Sequence, residues 1–129
     1  MSSADTIFSE SSLLPVDIAY GAAELGKLVE TYNYGPGYPV PKVLLVSPIE
    51  LGEGVENDPF SGFAPEAVAV SKQLAPYFEK QAAAHDWLYL NAASVAAPSS
   101  KDMLHMEKED HLSLAIALEK IIRNYFGKE

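Results

Sequence analysis

The sequence predicts an α/β fold, in which a short parallel sheet is covered by helices. Three observations lead to this prediction: helical and strand-like segments alternate, the first strand-like segment is apolar throughout, and the helical segments carry an apolar stripe. Strands without polar alternation are typical of parallel sheets that are covered on both faces. With 129 residues, 48% of them hydrophobic, the chain has the material of one globular domain.

The N-terminal region divides into a polar segment and a helix. Residues 1–14 are polar and rich in serine, whereas residues 15–129 are expected to form the domain. A helix is expected to begin at Pro15, because proline suits the first turn of a helix and apolar residues then recur at helical spacing as far as Val29. The run of glycine, proline and asparagine in residues 33–39 ends this helix.

The first strand is predicted at residues 43–47, which are short, apolar and stopped by Pro48. Residues 49–63 contain several glycines and a proline and are expected to form a loop. A single long helix is then predicted over residues 65–84, because apolar side chains recur along one side of it.

The second strand is predicted at residues 87–93, after a break at Asp86. Residues 96–106 are expected to form a loop, and residues 107–126 a closing helix. This last helix has a well-defined apolar stripe, which predicts a buried face made of Leu112, Ala115, Leu118, Ile121, Ile122 and Tyr125.

The element order is therefore helix, strand, helix, strand, helix, with a parallel βαβ unit at its centre. Sheets usually have four to six strands, and two strands alone are marginally stable. An unpaired apolar strand edge also invites pairing with another chain. We therefore expect the chain to be a piece of a larger domain or to complete its sheet by oligomerising.

Composition excludes several classes of function. The formal net charge of −9 argues against nucleic-acid binding, because no basic surface is available for phosphates. The absence of cysteine excludes disulfides and thiolate chemistry, and the three histidines lack the carboxylate spacing of a metal site. No cofactor is expected. No apolar run approaches the ~18 residues of a membrane span, so no membrane association is expected, and a cytoplasmic location is the default.

The loop after the second strand carries the most informative side chains. Asp102 and His105 are three residues apart in it, just before the closing helix. Ligand sites of open α/β sheets lie at the carboxyl ends of the strands, where this loop begins. A carboxylate beside an imidazole can fix its tautomer, as a general base requires. The alternative is a surface aspartate near a helix cap with a partly exposed histidine.

The order and spacing of the segments resemble the C-terminal portion of the SGNH (GDSL-type) hydrolases. The resemblance rests on a strand ending in Val-Ser-Pro, a long helix, a strand ending in Ala-Ser, an Asp-x-x-His pair and a His-Leu near the start of the last helix. It covers the chain after about residue 5. The resemblance implies a flavodoxin-like three-layer α/β/α fold with a five-stranded parallel sheet, of which residues 43–47 and 88–92 are the last two strands.

By this resemblance the chain is the later part of a serine ester hydrolase with a Ser-His-Asp triad. His105 matches the catalytic base and Asp102 the residue that orients it, while His111 is interpreted as structural. The family's nucleophile block, Gly-Asp-Ser, and its oxyanion blocks have no counterpart in the sequence. We therefore expect the serine to come from a missing N-terminal half, and the substrate of the complete enzyme to be a small acyl ester.

The loop after the first strand is a candidate wall for the substrate, formed by Pro48, Ile49, Leu51, Phe60 and Phe63. A plain surface loop with apolar anchors is the alternative for these residues. For the whole chain, the alternative to an enzyme is a catalytically inactive fragment or an assembly module that forms a homo-oligomer through its strand edge. An ordinary flavodoxin-like binding module lacks support, because no glycine-rich phosphate loop follows either strand.

Overall fold

A computed structural model describes residues 14–58 and 61–127. In chain order the elements are helix α1 (Pro15–Thr31), strand β1 (Leu44–Ser47), helices α2 (Ala67–Lys72) and α3 (Leu74–Ala84), strand β2 (Leu88–Asn91) and helix α4 (Lys108–Phe126). Two short 3-10 turns follow the strands, at Val55–Asn57 and Ala92–Ser94. None of the helices within these residues is long and apolar enough to cross a membrane. The expected polar segment, residues 1–14, lies outside the described residues except for Leu14.

The two strands form a parallel sheet, as the apolar strand pattern predicts. Leu44 pairs with Leu88 and Ser47 with Asn91, so the carboxyl ends of both strands lie at the same edge. Within residues 14–58 and 61–127, β1 has a strand partner on one side and none on the other. The α/β/α fold class with an incomplete two-stranded sheet is therefore confirmed.

The long helix predicted over residues 65–84 is wrong in one respect: it is divided at Gln73. Pro76 is the physical reason, because proline has no N–H to donate to Lys72 and its ring crowds that carbonyl group. The Gln73 N–H accordingly donates to the carbonyl of Val70 at 3.0 Å, a tight turn that ends α2. Pro76 then lies in the first turn of α3, where a missing N–H is tolerated.

One face of the sheet is closely packed against α1 and α3. Its buried cluster consists of Ala19, Ala23, Leu45, Leu74, Phe78, Ala82 and Trp87. Helix α1 contributes small residues to this face, and Gly26 comes so close to the indole of Trp87 that an added Cβ would lie 2.4 Å from it. Of the larger apolar residues of α1, Ile18 packs on the edge of this cluster, whereas Leu25 and Leu28 are exposed. Small side chains therefore bring α1 close to the sheet.

The opposite face of the sheet carries α4, and there the predicted buried stripe is wrong. No residue described in α4 is buried: Leu112, Ala115 and Ile122 are exposed, and Leu118, Ile121 and Tyr125 are half-buried. Two open grooves of about 530 and 370 Å³ lie between α4 and strand residues such as Leu44, Leu88 and Leu90. The apolar stripe exists, but the two strands described are too narrow a surface to cover it.

Candidate active site

The loops that leave the two strands meet at the carboxyl edge of the sheet. The N–H of Gly52, in the loop after β1, donates to the carbonyl of Met103, in the loop after β2, at 2.8 Å. A Cβ on Gly52 would lie 2.7 Å from the Met103 Cβ and 3.0 Å from its Cα, so only glycine fits at this contact. Met103 itself has a φ of 59°, a conformation that L-residues adopt rarely. The two loops are thus joined by a backbone hydrogen bond, and they lie too close together for a side chain at residue 52.

Asp102 and His105 form a hydrogen-bonded pair in the second loop. The Nδ1 of His105 lies 2.7 Å from the Oδ2 of Asp102. The other carboxylate oxygen, Oδ1, accepts from the backbone N–H groups of Leu104 and His105 at 2.9 and 3.0 Å. One carboxylate therefore closes the turn with one oxygen and contacts the ring with the other. The local chain geometry alone brings the two side chains together.

The electrostatics of this pair favour an ionised carboxylate. The hydrogen bond from His105 and those from the backbone N–H groups of Leu104 and His105 lower the pKa of Asp102 from 3.8 to about 2. A carboxylate at Nδ1 selects the neutral tautomer that carries its proton on Nδ1, and this leaves Nε2 with a free lone pair. The side chain of His105 is 78% exposed, so a reacting hydroxyl can reach it.

Three serines near this edge of the sheet have hydroxyls that are engaged elsewhere. Ser99 donates to the Oε2 of Glu107, and Ser94 donates to the carbonyl of Asn91 at 2.7 Å. Ser47, at the end of β1, is fully buried and lies 2.8 Å from the hydroxyl of Tyr89. Among the described residues, the hydrogen-bond partner of the His105 ring is Asp102.

The candidate substrate-wall residues lie in different environments. Leu51 is only 7% exposed and packs with Val55, Ala67 and Val68, while Phe63 packs on the edge of the same cluster. Pro48 is exposed and Ile49 is half-buried. Phe60 lies outside the described residues. Leu51 thus anchors this loop in the protein interior, whereas Pro48 and Ile49 are accessible at the end of β1.

Sequence reasoning missed the residues that hold these loops. Met103 and Leu104 pack on the Leu51 cluster, which places the loop of Asp102 and His105 over the loop after β1. The hydroxyl of Ser71, which is buried in α2, accepts from the N–H of Leu51 at 3.0 Å. In the sequence, Gly52 is the signal of this close approach, because glycine has no Cβ and allows another backbone to come near.

No family model matches the sequence, and no curated protein does. Solved structures do match. An aryl esterase from M. smegmatis has 29% sequence identity and a TM-score of 0.76, over 88% of this chain and 53% of that one. A carbohydrate acetylesterase from Sinorhizobium meliloti has 27% identity and a TM-score of 0.78, over 88% of this chain and 54% of that one. A further crystal structure, at 29% identity, reaches a TM-score of 0.85 over 91% of this chain and 53% of its own.

The fold is that of the C-terminal portion of an SGNH-type hydrolase. The resemblance inferred from the sequence is thereby confirmed. The chain spans about half the length of each of these three structures. Ligands of open α/β sheets generally bind at the carboxyl ends of the strands, and the loop that carries Asp102 and His105 leaves β2 at that edge.

Proposed function

We propose that this chain supplies the acid–base part of a serine ester hydrolase site. In this proposal His105 is the general base, Asp102 orients it, and the serine and oxyanion donors come from a polypeptide segment outside the described residues. The 2.7 Å contact between His105 Nδ1 and Asp102 Oδ2, at the carboxyl edge of the sheet, is the observation that carries the proposal. The matching solved structures that are named as esterases support it.

The proposed reaction consists of acylation and deacylation of the serine, and each of these two half-reactions includes two proton transfers. The serine oxygen bonds to the ester carbonyl carbon while Nε2 of His105 takes the hydroxyl proton, and the imidazolium then gives this proton to the departing alkoxide. Water repeats the sequence on the acyl-serine, releasing the acid. Asp102 stays ionised throughout and stabilises the imidazolium, which agrees with its lowered pKa. Amide N–H donors outside the described residues would stabilise the oxyanion.

The proposed substrate is a small acyl ester. The names of the matching structures refer to aryl esters and to acetylated carbohydrates, which share a short acyl group on an oxygen leaving group. In this proposal the exposed Pro48 and the half-buried Ile49 and Phe63 would contribute to the substrate wall, together with Phe60, while the buried Leu51 would support it from below. This arrangement places apolar side chains beside the loop that holds His105.

The proposed partner is a segment that continues the sheet at the free edge of β1. Only a strand parallel to β1 brings its carboxyl end, and a catalytic serine following it, to the edge where His105 lies. The same segment would cover the exposed apolar residues of α1, such as Leu25 and Leu28, and fill the grooves beside α4. These surfaces are of the kind that mark an interface when they are exposed together.

An assembly module is the second candidate function, and the free edge of β1 favours it. In a two-fold dimer joined by hydrogen bonds between the two β1 edges, these strands run antiparallel. The second His105 would then lie at the opposite end of the sheet. A second copy would therefore cover apolar surface without supplying a nucleophile.

Co-expression with the polypeptide encoded immediately upstream tests the proposed function. We expect p-nitrophenyl acetate hydrolysis and labelling of a serine by a fluorophosphonate probe in the mixture, and neither with this chain alone. His105→Ala should lower turnover by about 10⁴-fold to 10⁶-fold. His111→Ala serves as the matched control and should retain activity, because His111 is an exposed residue in the first turn of α4.

Two results would contradict the proposal. One is hydrolysis by the chain alone that His105→Ala abolishes, since the serine would then belong to this chain. The other is a fully active mixture containing His105→Ala. A homodimer in light scattering, with no binding to the upstream polypeptide and no activity, would favour the assembly module instead.

A further inference from the structure

Ser99 is the centre of the hydrogen bonds that close the loop around His105. Its N–H donates to the carbonyl of His105 at 2.6 Å, and its own carbonyl accepts from the N–H of Met103 at 2.8 Å. Its hydroxyl accepts from the N–H of Lys101 at 3.0 Å and donates to the Oε2 of Glu107. The residue is only 7% exposed. One buried serine thus contacts the loop before, within and after the Asp102–His105 turn.

Glu107 has an unusual role for its position. It is the N-cap residue of α4, yet its side chain makes no capping hydrogen bond to the helix. Its carboxylate accepts from the hydroxyl of Ser99 instead. In the first turn of α4, Asp110 likewise accepts from the N–H of Ala97 at 3.0 Å. Two hydrogen bonds therefore join the start of the loop, which precedes His105, to the start of α4, which follows it.

We propose that Ser99 and Glu107 are positioning residues for the Asp102–His105 pair. The inference rests on the proposed function, in which this pair performs the proton transfer. The ring of His105 is largely exposed, so packing does little to fix it, and its place depends on the backbone that carries it. The Ser99–Glu107 hydrogen bond joins the two ends of that backbone segment.

The energetic argument concerns the alignment of the ring rather than the stability of the fold. A hydroxyl donating to an ionised carboxylate makes one of the stronger hydrogen bonds of proteins. Without this hydrogen bond, the segment from residue 99 to residue 107 keeps its backbone hydrogen bonds, but its two ends can move relative to each other. A displacement of about 1 Å at a general base can lower turnover by about 100-fold. The pair would then form only part of the time.

Nitrogen-15 chemical shifts of the His105 ring test this inference on the chain itself. In the unmodified chain, Nδ1 and Nε2 of the neutral ring should have widely separated shifts, because Asp102 selects one tautomer. In Ser99→Ala and Glu107→Ala, the two shifts should move toward each other as the tautomers average. Ser99→Thr and Glu107→Gln keep a hydroxyl and an acceptor, and should restore the separation.

Ser94→Ala is the matched control, since its hydroxyl donates to the carbonyl of Asn91 at 2.7 Å, outside this segment. It should leave the shifts of His105 unchanged. The double variant Ser99→Ala/Glu107→Ala should have no larger effect than Ser99→Ala alone, because Ser99→Ala already removes the hydrogen bond to Glu107. If Ser99→Ala does not fold, Glu107→Ala decides the result. Shifts that stay fully separated in a folded Ser99→Ala or Glu107→Ala chain would overturn the inference.

The test separates this inference from the proposed function. Shifts that converge as expected, together with an inactive mixture of the two polypeptides, would contradict the ester hydrolase and leave the positioning role intact. In an active mixture, Ser99→Ala should lower kcat about 10-fold to 100-fold with little change in KM. An unchanged kcat would contradict the positioning role and leave the hydrolase intact.

Discussion

The two faces of the sheet differ in how completely they are covered. On one face, α1 and α3 bury Ala19, Ala23, Phe78 and Ala82 against the strands. On the other face, α4 leaves wide grooves and exposes Leu112, Ile116, Ile122 and Phe126. Both faces are built from amphipathic helices and apolar strands, so hydrophobicity alone does not account for the difference.

The difference comes from the width of surface that each helix meets. Helices α1 and α3 cover each other as well as the strands, and small residues let them approach closely. Among the described residues, helix α4 faces the two strands across open grooves, and only its first turn is hydrogen-bonded to the loop after β2. An amphipathic pattern predicts that a face needs covering, and the rest of the fold decides whether one chain can cover it.

The largest expected difference between the two faces is seen by removing one phenylalanine from each. Phe78 is 6% exposed and Phe126 is 69% exposed. Phe78→Ala should lower the free energy of unfolding by about 3–5 kcal/mol, whereas Phe126→Ala should change it by less than about 0.5 kcal/mol. Urea unfolding followed by the fluorescence of Trp87, the one tryptophan in the sequence, measures both.

The same pair of variants also reveals what covers the open face. Once the upstream polypeptide is bound, Phe126→Ala should become costly, because the side chain then loses buried contacts. A large effect of Phe126→Ala in the chain alone would contradict the comparison and indicate that copies of the chain already bury this face.

The two sides of α1 offer a second test with glycines. An added Cβ at Gly26 would collide with the ring of Trp87, while at Gly21 it would meet nothing within 4 Å. Gly26→Ala should therefore destabilise the chain by about 1–3 kcal/mol through overpacking. Gly21→Ala should stabilise it by about 0.5–1 kcal/mol, because alanine favours the helix. Equal effects at the two sites would show that α1 does not approach the sheet as closely as described.

The sequence predicted the fold class, because apolar strands and periodic helices are local signals. It also placed Asp102 and His105 in one loop, and their contact follows from a spacing of three residues within a turn. It did not predict the break before α3, although Pro76 was visible, because the apolar period continues across it. The contact between Gly52 and Met103 joins residues that are far apart in the sequence, and periodicity carries no information about such pairs.

The contact between Gly52 and Met103 gives a prediction about the two loops at the carboxyl edge of the sheet. Gly52→Ala forces the backbone of Met103 to move, since the added Cβ would lie 2.7–3.0 Å from its Cβ, Cγ and Cα atoms. We expect faster amide exchange at residues 102–105 and a loss of stability of about 1–2 kcal/mol. Gly54, whose Cβ would meet only the side chain of Asn57 but whose φ is +87°, is the comparison. Gly54→Ala should strain its own turn and leave residues 102–105 protected.

The smallest effect concerns Asp102, whose contacts all lie within one loop and should not require the open face to be covered. Because the folded-state pKa is lowered to about 2 from 3.8, the carboxylate contributes stability that is fully present above pH ~4. That contribution is lost as the pH falls from ~4 through ~2. The difference in stability between the unmodified chain and Asp102→Asn should therefore shrink over this range, and the carboxyl carbon of Asp102 should titrate near pH 2 in NMR spectra. A titration near 3.8 in the chain alone would mean that the pair forms only when the partner segment is bound. The loop would then depend on the partner, as the α4 face of the sheet does, and would not be complete in itself like the face covered by α1 and α3.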